Sequence, residues 1–374
     1  MSEHDDQKIV ILGAGGIGGT LAARLCKAGK DVSLVTANPT IASAIRDQGL
    51  HARFEGAEHV VHPRAVVSAE EFDPSERFAL CIVAVPPSSA EEAVLDVLPW
   101  LGEDGLVLCC PNGLIEERLV GKAIPAQRIV GGVVSFGASM TGPGQVEQTS
   151  DGGAITLGRL PGAYRYEDDG LGRVAALLEG TFPTPMTDNL RGVRWSKLAL
   201  NCVVSSLGTI GGARLGALIS HRIVRRLGLE IITEVVQVAR AEQVELVKVA
   251  NTVDLKWLTL GRIERRRQIG AGTLVFKHML VLGAGVKYRD MRSSMLRALE
   301  RGRKPPVEFL NGEIVERGAV HGIPTPINLA VMEMIEELSQ GKREPNFEGI
   351  EELYARTSQY RGWPTSWKSK TRLL

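Results

Sequence analysis

The chain predicts an α/β domain built on a parallel sheet, followed by an all-helical domain, and three observations carry that reading. A strand-like run, Lys8 to Leu12 (KIVIL), enters the turn Gly13-Ala14-Gly15-Gly16-Ile17-Gly18, and an apolar-periodic stretch with Leu21, Ala22, Leu25 and Cys26 follows. Unbroken apolar runs at Asp31 to Thr36 (DVSLVT) and Ala79 to Val85 (ALCIVAV) alternate with helical patterns, as parallel strands buried on both faces do. From Val193 onward such runs cease, and long helical patterns replace them.

The glycine turn gives the first domain its purpose. Gly13 permits the turn, Gly15 lets the backbone approach a pyrophosphate, and Gly18 lets the following helix pack closely on the strand. Gly16 and Ile17 open that helix, whose unpaired N–H groups face the phosphates. Strand, glycine turn and helix in this order form the dinucleotide-binding fingerprint of a Rossmann-type domain. Gly105 to Cys110 (GLVLCC) reads as a further strand ending at Pro111-Asn112-Gly113. Ile129 to Phe136, the turn Gly142-Pro143-Gly144, and Ala154 to Leu157 read as shorter strands that complete the sheet. Prolines in Phe182 to Pro185 (FPTP) suit a domain boundary. Beyond it, Ile223 to Val244, Val307 to His321 and Pro326 to Leu338 read as helices, while Leu207 to Gly212 loosens the end of the first one. The expected divisions are a polar arm at 1–7, the dinucleotide-binding domain at 8–185, a helical substrate and catalytic domain at 186–340, and a polar extension at 341–374. That extension, with Lys368, Lys370 and Arg372, reads as a wrapping arm or partly disordered segment.

Composition narrows the classes of function. With 374 residues the chain fits about two domains, and 44 Lys and Arg against 43 Asp and Glu leave no overall field to draw it to nucleic acid or a membrane surface. The polar start MSEHDDQ and the lack of any 18-residue apolar run predict a cytoplasmic protein acting on small molecules. Cys26, Cys81, Cys109, Cys110 and Cys202 lie in apolar runs without a CxxC pair, so they read as reduced core residues. His59 and His62 have no further ligands at metal spacing and read as surface or strand-end residues, so no metal is expected. Leu282-Gly283-Ala284-Gly285-Val286 imitates a second nucleotide loop but lacks the third glycine, and it reads as a helix break. The basic run from Arg262 to Arg267 has no interleaved aromatics and reads as a solvated helix face.

The segment from Trp195 to Ser205 carries the chemistry. Lys197, Asn201 and Ser205 stand at i, i+4 and i+8, so one helix face bears an ammonium, an amide and a hydroxyl among apolar neighbours. Lys197 is suited to donate a hydrogen bond to a carbonyl oxygen and then a proton, with partial desolvation lowering its pKa toward the working range. The same spacing also suits a solvent-facing polar stripe.

These residues resemble the ketopantoate reductases, or 2-dehydropantoate 2-reductases, of pantothenate biosynthesis. The likeness covers GAGGIGG, the Asn112-Gly113 turn, Trp195-Ser196-Lys197-Leu198-Ala199-Leu200-Asn201-Cys202, Arg292 to Leu296, and Glu308-Phe309-Leu310-Asn311-Gly312 leading to His321 through Pro326, in family order across residues 8 to 335. The resemblance implies a Rossmann domain, an all-α C-terminal domain of the 6-phosphogluconate-dehydrogenase-like kind, and NADPH with a 2-oxo acid as reactants. It also implies that Lys197 is the catalytic lysine and that Asn112 and Asn201 orient cofactor and substrate. Ser294 would then hold the substrate carboxylate, and Ser205 and Glu308 are further candidate substrate residues. The chain departs from the family at four positions. Ser205 stands where the family has a second helix asparagine, and Pro306 where it has an active-site glutamate, two residues before Glu308. A proline side chain cannot accept a hydrogen bond from a substrate hydroxyl, so the particular 2-oxo acid stays open. Thr36-Ala37-Asn38 replaces the basic residue after the second strand and Pro86 a lysine, yet no carboxylate ends that strand. Thr36 and Asn38, with Arg46 nearby in sequence, are therefore the candidate contacts to a 2′-phosphate, which favours NADP and leaves NAD open. The alternatives are a dehydrogenase of the opine or hydroxyacyl type and a non-catalytic NAD(P)-binding regulatory protein. A homodimer is the partner expected besides the substrate.

Overall fold

Strand β1 (Ile9–Leu12) is buried along its whole length, and its two faces enter two different cores. Ile9 and Ile11 pack with Leu21, Leu25 and Leu34, while Val10 and Leu12 pack with Val83, Ala90 and Val94. The two-residue alternation of side chains thus puts a strand with no polar face in the middle of a sheet covered on both sides. In a computed structural model, residues 7–119, 122, 124–150, 152–162, 169–249, 253–266, 272–287 and 289–361 are described. The chain divides into two compact units, Met1–Leu190 and Arg191–Leu374.

The first unit holds an eight-stranded sheet made of β1, β2 (Val32–Val35), β5 (Arg64–Val66), β6 (Phe78–Val83), β7 (Leu101–Cys109), β8 (Ile129–Val134), β11 (Ile155–Gly158) and β12 (Met186–Thr187). Its order is β12-β11-β8-β7-β6-β1-β2-β5, parallel throughout except where β11 runs antiparallel to β8. Ile9 faces Val32 on one side and Leu80 on the other, so β2 and β6 flank β1 in register. Helices α1 (Gly16–Lys27), α2 (Pro39–Gln48), α3 (Pro87–Val97), α4 (Ile115–Leu119) and α5 (Gly170–Leu177) belong to the same unit. The prolines of the FPTP segment precede β12, which adds a last strand to the sheet, and the border between units follows at Leu190.

One part of the expected sheet is a separate structure. β3 (Leu50–Phe54), β4 (Ala57–Val61), β9 (Ala138–Gly142) and β10 (Gln145–Gln148) form a second, four-stranded sheet in the order β4-β3-β10-β9. The hairpin around Gly142-Pro143-Gly144 therefore pairs with β3, Gln145 opposite His51, and does not extend the main sheet. Sequence proximity favoured the main sheet, but the burial of Ala52, Phe54 and Val146 against α1 decides the other way.

The second unit contains α6 (Leu190–Ile210), α7 (Leu215–Ser220), α8 (Arg222–Ala241), α9 (Leu255–Leu258), α10 (Arg262–Arg266), α11 (Gly272–Lys287), α12 (Ser294–Glu300), α13 (Asn311–Val320), α14 (Pro326–Ser339) and α15 (Phe347–Arg356). α6 runs unbroken through Gly208 and stops at Gly211-Gly212, where Gly212 takes φ +64°. The Gly283 and Gly285 segment is no break: α11 passes straight through it, and Gly285 lies against Ile219 of α7, where a Cβ would come within 2.6 Å of that side chain. The helix expected from Val307 begins later. Val307–Phe309 is a 3-10 turn, Leu310 is non-helical at φ −119° and ψ −92°, and α13 starts at Asn311.

The basic run also differs from a solvated face. Glu264, inside it, is buried and accepts from Gly261 N, Thr273 Oγ1 and Lys277 Nζ, and the Glu264 and Arg265 carbonyls both accept from the buried Arg226. Arg267 lies outside the described residues. Past residue 341 the extension carries α15, packed against α8, and Asn346 N donates to the last carbonyl of α6, Ile210. Lys368, Lys370 and Arg372 lie outside the described residues, as does all of the N-terminal arm except Gln7. Among the described residues no helix is long and apolar enough to cross a membrane.

Candidate active site

In the first unit the candidate cofactor residues follow the carboxyl ends of neighbouring parallel strands. Gly13 follows β1, Thr36 and Asn38 follow β2, and Asn112 follows β7, at the edge where open α/β sheets hold their ligands. Gly13 has φ +101°, and its N–H donates to Val35 O at 2.8 Å, so the chain turns immediately after the strand. At Gly18 a Cβ would fall 1.9 Å from Gly13 O, a contact no other residue type can make. Gly15 is different: nothing lies within 4 Å of its Cβ position. It is the N-cap of α1 without a side-chain cap, and the first turn has no acidic residue, so no side chain of the helix occupies its N-terminus, as a phosphate site requires. Gly16 instead packs on Ala138 of β9, and Ile17 is half-buried against the core.

The region after β2 is partly committed to its own helix. Asn38 Oδ1 accepts from Thr40 N at 3.0 Å and Ile41 N at 3.3 Å, capping α2 beside Pro39. Thr36 is buried, with its N–H on Val66 O, while Asn38 is exposed. Arg46 stands in the last turn of α2, eight positions beyond Asn38 and about 12 Å along the axis, and pairs with Glu71 at 3.6 Å. Asn112 is exposed, next to Gly113 at φ +94°.

In the second unit Lys197, Asn201 and Ser205 share a face of α6, as helical spacing requires. Lys197 and Asn201 are half-buried and Ser205 is buried, while Trp195, Leu198, Ala199 and Cys202 on the other faces are sealed in the core. Ser294 is the first residue of α12 and is exposed. What brings it to α6 is its neighbour. Ser293 Oγ donates to Ser205 O at 2.7 Å, lies 2.9 Å from Thr209 Oγ1, and accepts from Leu296 N as the α12 N-cap. Glu308 sits exposed on the 3-10 turn, its carboxylate held by Lys304 four residues earlier. Pro306 opens that turn.

Sequence reasoning passed over a buried chain of polar groups behind this face. Ser206 Oγ donates to Asn311 Oδ1 at 2.5 Å, and Asn311 Nδ2 donates to Cys202 O at 3.2 Å and Asn328 Oδ1 at 2.9 Å. Asn328 Nδ2 donates to Glu234 Oε2 at 2.7 Å, and the Glu234 carboxylate also accepts from Ile327 N and Asn328 N at the start of α14. One signal was legible: Glu234 is the only charge in the apolar run Leu229 to Ala239 apart from Glu230. Burial pushes its carboxyl from the usual 4.5 up to about 7, outweighing the hydrogen bonds from Asn328 and Ile327 and the attraction of Arg265, which pull it down. Beside it lies a cavity of about 40 Å³, room for water, bordered by Arg226, Glu230, Arg265 and Arg361.

A glycine loop that presents N–H groups at a sheet edge, and a helix that presents lysine, asparagine and serine from an otherwise buried surface, define a nicotinamide-dependent oxidoreductase of the CH–OH/C=O class. Comparison with known proteins agrees. The family model described as "Ketopantoate reductase PanE/ApbA" matches residues 9–162, and "Ketopantoate reductase PanE/ApbA C terminal" matches 189–339. The chain is 26% identical over 330 residues to a 2-dehydropantoate 2-reductase of Halobacterium salinarum, covering 88% of this chain and 97% of that protein. It is 27% identical over 356 residues to one of Mesorhizobium japonicum, covering 89% and 98%. Among solved structures, a PanE/ApbA family ketopantoate reductase from Ralstonia eutropha JMP134 superposes with TM-score 0.73 at 25% identity, covering 90% of this chain and 99% of that one. D-mandelate dehydrogenase in complex with NADH and anilino(oxo)acetate shares the fold, with TM-score 0.75 at 22% identity over 89% of this chain and 98% of that one. The chain belongs to the ketopantoate reductase family.

The raised Glu234 carboxyl makes a pH prediction. Between pH 4.5 and 7 the folded chain binds this proton and the unfolded chain does not. The stability it contributes is therefore complete below pH 4.5 and is lost as pH rises through about 7. Urea unfolding at pH 5 and pH 8 should show the native protein losing about 2 to 3 kcal/mol more than Glu234→Gln over that interval. Parallel losses in both proteins would contradict the assignment.

Proposed function

We propose that the protein is an NADP-dependent reductase of a 2-oxo acid, acting at the face formed by Lys197, Asn201 and Ser205 with Ser294 beside it. The observation that carries this reading is the Ser293 hydroxyl on the Ser205 carbonyl, which sets the first residue of α12 next to the polar face of α6. A 2-oxo acid offers two acceptors, a carboxylate and a carbonyl, and that face offers donors for both. The Lys197 ammonium donates to the carbonyl oxygen and passes it a proton as the oxygen becomes a hydroxyl. The Asn201 amide holds the same oxygen in line, and the Ser294 hydroxyl holds the carboxylate. The loop Gly13, Gly15, Gly16, Ile17 and Gly18, with Asn112, would hold the nicotinamide cofactor, which when bound supplies the hydride. Thr36 and Asn38 favour NADPH, because no carboxylate follows β2 to repel a 2′-phosphate.

Pro306 shapes the choice of substrate. With no side-chain acceptor there, and the Pro306 carbonyl already accepting from Phe309 N, the hydroxyl of ketopantoate is left unpaired on burial, at about 1 to 3 kcal/mol. NADPH oxidation across a panel of 2-oxo acids should therefore show kcat/KM for ketopantoate about fivefold to more than a hundredfold below that of its analogue without the hydroxyl, and faster turnover with NADPH than with NADH. Strong preference for ketopantoate would remove the Pro306 argument, and no turnover of any panel member would remove the reductase reading.

Lys197→Ala should lower kcat by about a hundredfold or more on the best substrate, with nucleotide affinity little changed. A near-normal kcat in steady-state assays would take the lysine out of the mechanism.

The protein would work as a homodimer. α11 exposes Val275, Phe276 and Met279, with Trp257 beside Phe276, an apolar surface of the kind that a second copy covers. Sedimentation velocity should give a dimer that Phe276→Glu with Met279→Glu converts to monomer; a monomeric native protein would refute it.

A further inference from the structure

The turn of α6 between Asn201 and Ser205 is gripped from behind by one amide. Cys202 and Ser206 stand at i and i+4, so the carbonyl of the first and the hydroxyl of the second lie one above the other on the helix surface. Asn311 meets both, donating from Nδ2 to Cys202 O at 3.2 Å and accepting at Oδ1 from Ser206 Oγ at 2.5 Å. An amide suits this pair because it carries a donor and an acceptor on one planar group; an aspartate cannot donate and a leucine can do neither. The amide is itself fixed. Its second Nδ2 proton goes to Asn328 Oδ1, and Asn328 is held by Glu234 through both its backbone N–H and its side chain. Ser206, Asn311 and Asn328 are wholly buried, so none of them has water to turn to.

Cys202 and Ser206 each follow a residue of the candidate substrate face by one position, about 100° around the helix. A grip there sets the rotation of α6. Side-chain groups stand roughly 6 Å from a helix axis, so a turn of about 10° moves them by about 1 Å, enough to cost a reaction on the order of a hundredfold. We propose that Asn311 is a positioning residue for the reduction: through the Cys202 carbonyl and the Ser206 hydroxyl it fixes the rotation of α6 that presents Lys197, Asn201 and Ser205 to the substrate. This rests on the reductase reading above. Asn311 touches none of the reacting atoms and acts through the helix alone.

The test uses the full chain with Ser206→Ala, which removes one end of the grip with the least change in volume. Asn311→Ala serves as the stronger variant. Thr357→Ala is the control, since Thr357 is also wholly buried with its hydroxyl on Leu353 O, just past the C-terminal end of α15 and outside the Ser206–Asn311–Asn328 chain. Three readouts are taken: kcat and KM on the best 2-oxo acid of the panel, the NADPH dissociation constant, and amide hydrogen exchange across residues 202–210. Ser206→Ala should lose at least tenfold in kcat, keep NADPH affinity within twofold, and exchange at least tenfold faster over 203–206, while Thr357→Ala keeps kcat within twofold of the native protein. A kcat for Ser206→Ala equal to that of Thr357→Ala overturns the proposal even if Asn311→Ala does not fold. Exchange decides separately from activity. If the native protein reduces no 2-oxo acid, the reductase reading fails; unchanged exchange in Ser206→Ala overturns the grip on α6 whether or not turnover is found.

Discussion

Two side chains from distant parts of the helical unit, Ser293 and Asn311, hydrogen-bond to the same turn of α6, and the proposed substrate face depends on that hold. α6 has to do two things that conflict. Its Trp195, Leu198, Ala199 and Cys202 belong to a core, where each large apolar side chain contributes about 1.5 to 3 kcal/mol. Its Lys197, Asn201 and Ser205 must stay turned away from that core. Apolar contacts are non-directional and hold a helix at a given depth better than at a given rotation. Hydrogen bonds to buried amides and hydroxyls supply the missing direction, because each broken one leaves a buried group unpaired at about 1 to 3 kcal/mol.

The dinucleotide unit solves its problem with backbone. β1 is apolar on both faces and takes its place between β2 and β6, so the turn at Gly13 is delivered to the carboxyl edge of the sheet. The near-contact of Gly18 with Gly13 O then lays α1 against the strand, and the flank of Gly15 is left open. The turn and the helix that follow β1 are local in sequence.

That locality explains what the sequence disclosed. GAGGIG declares itself because strand, turn and helix are contiguous, and the polar face of α6 because helical periodicity alone places Lys197, Asn201 and Ser205 together. The second sheet was hidden, since β10 pairs with β3 in parallel across about ninety residues and nothing in either strand names its partner. The polar chain behind α6 was hidden for the same reason: Ser206 and Asn311 are 105 positions apart, and Asn328 and Glu234 are 94 apart. The Gly283 and Gly285 segment misled because Gly285, kept for close packing on α7, looks in one dimension like a glycine kept for a turn. Glu308 lies within a motif, and its exposed carboxylate pairs with Lys304 on the 3-10 turn.

In the proposed reduction the work falls to donors fixed by the fold, Lys197, Asn201 and Ser294. The most direct test of that account follows the transferred atom. Incubating the protein with a 2-oxo acid and NADPH dideuterated at the nicotinamide C4, and reading the product by NMR, should give a single enantiomer of the 2-hydroxy acid with deuterium at C2. A product with hydrogen at C2, a racemic product, or none at all would contradict a rigid α6 face that holds one carbonyl in one orientation for hydride transfer.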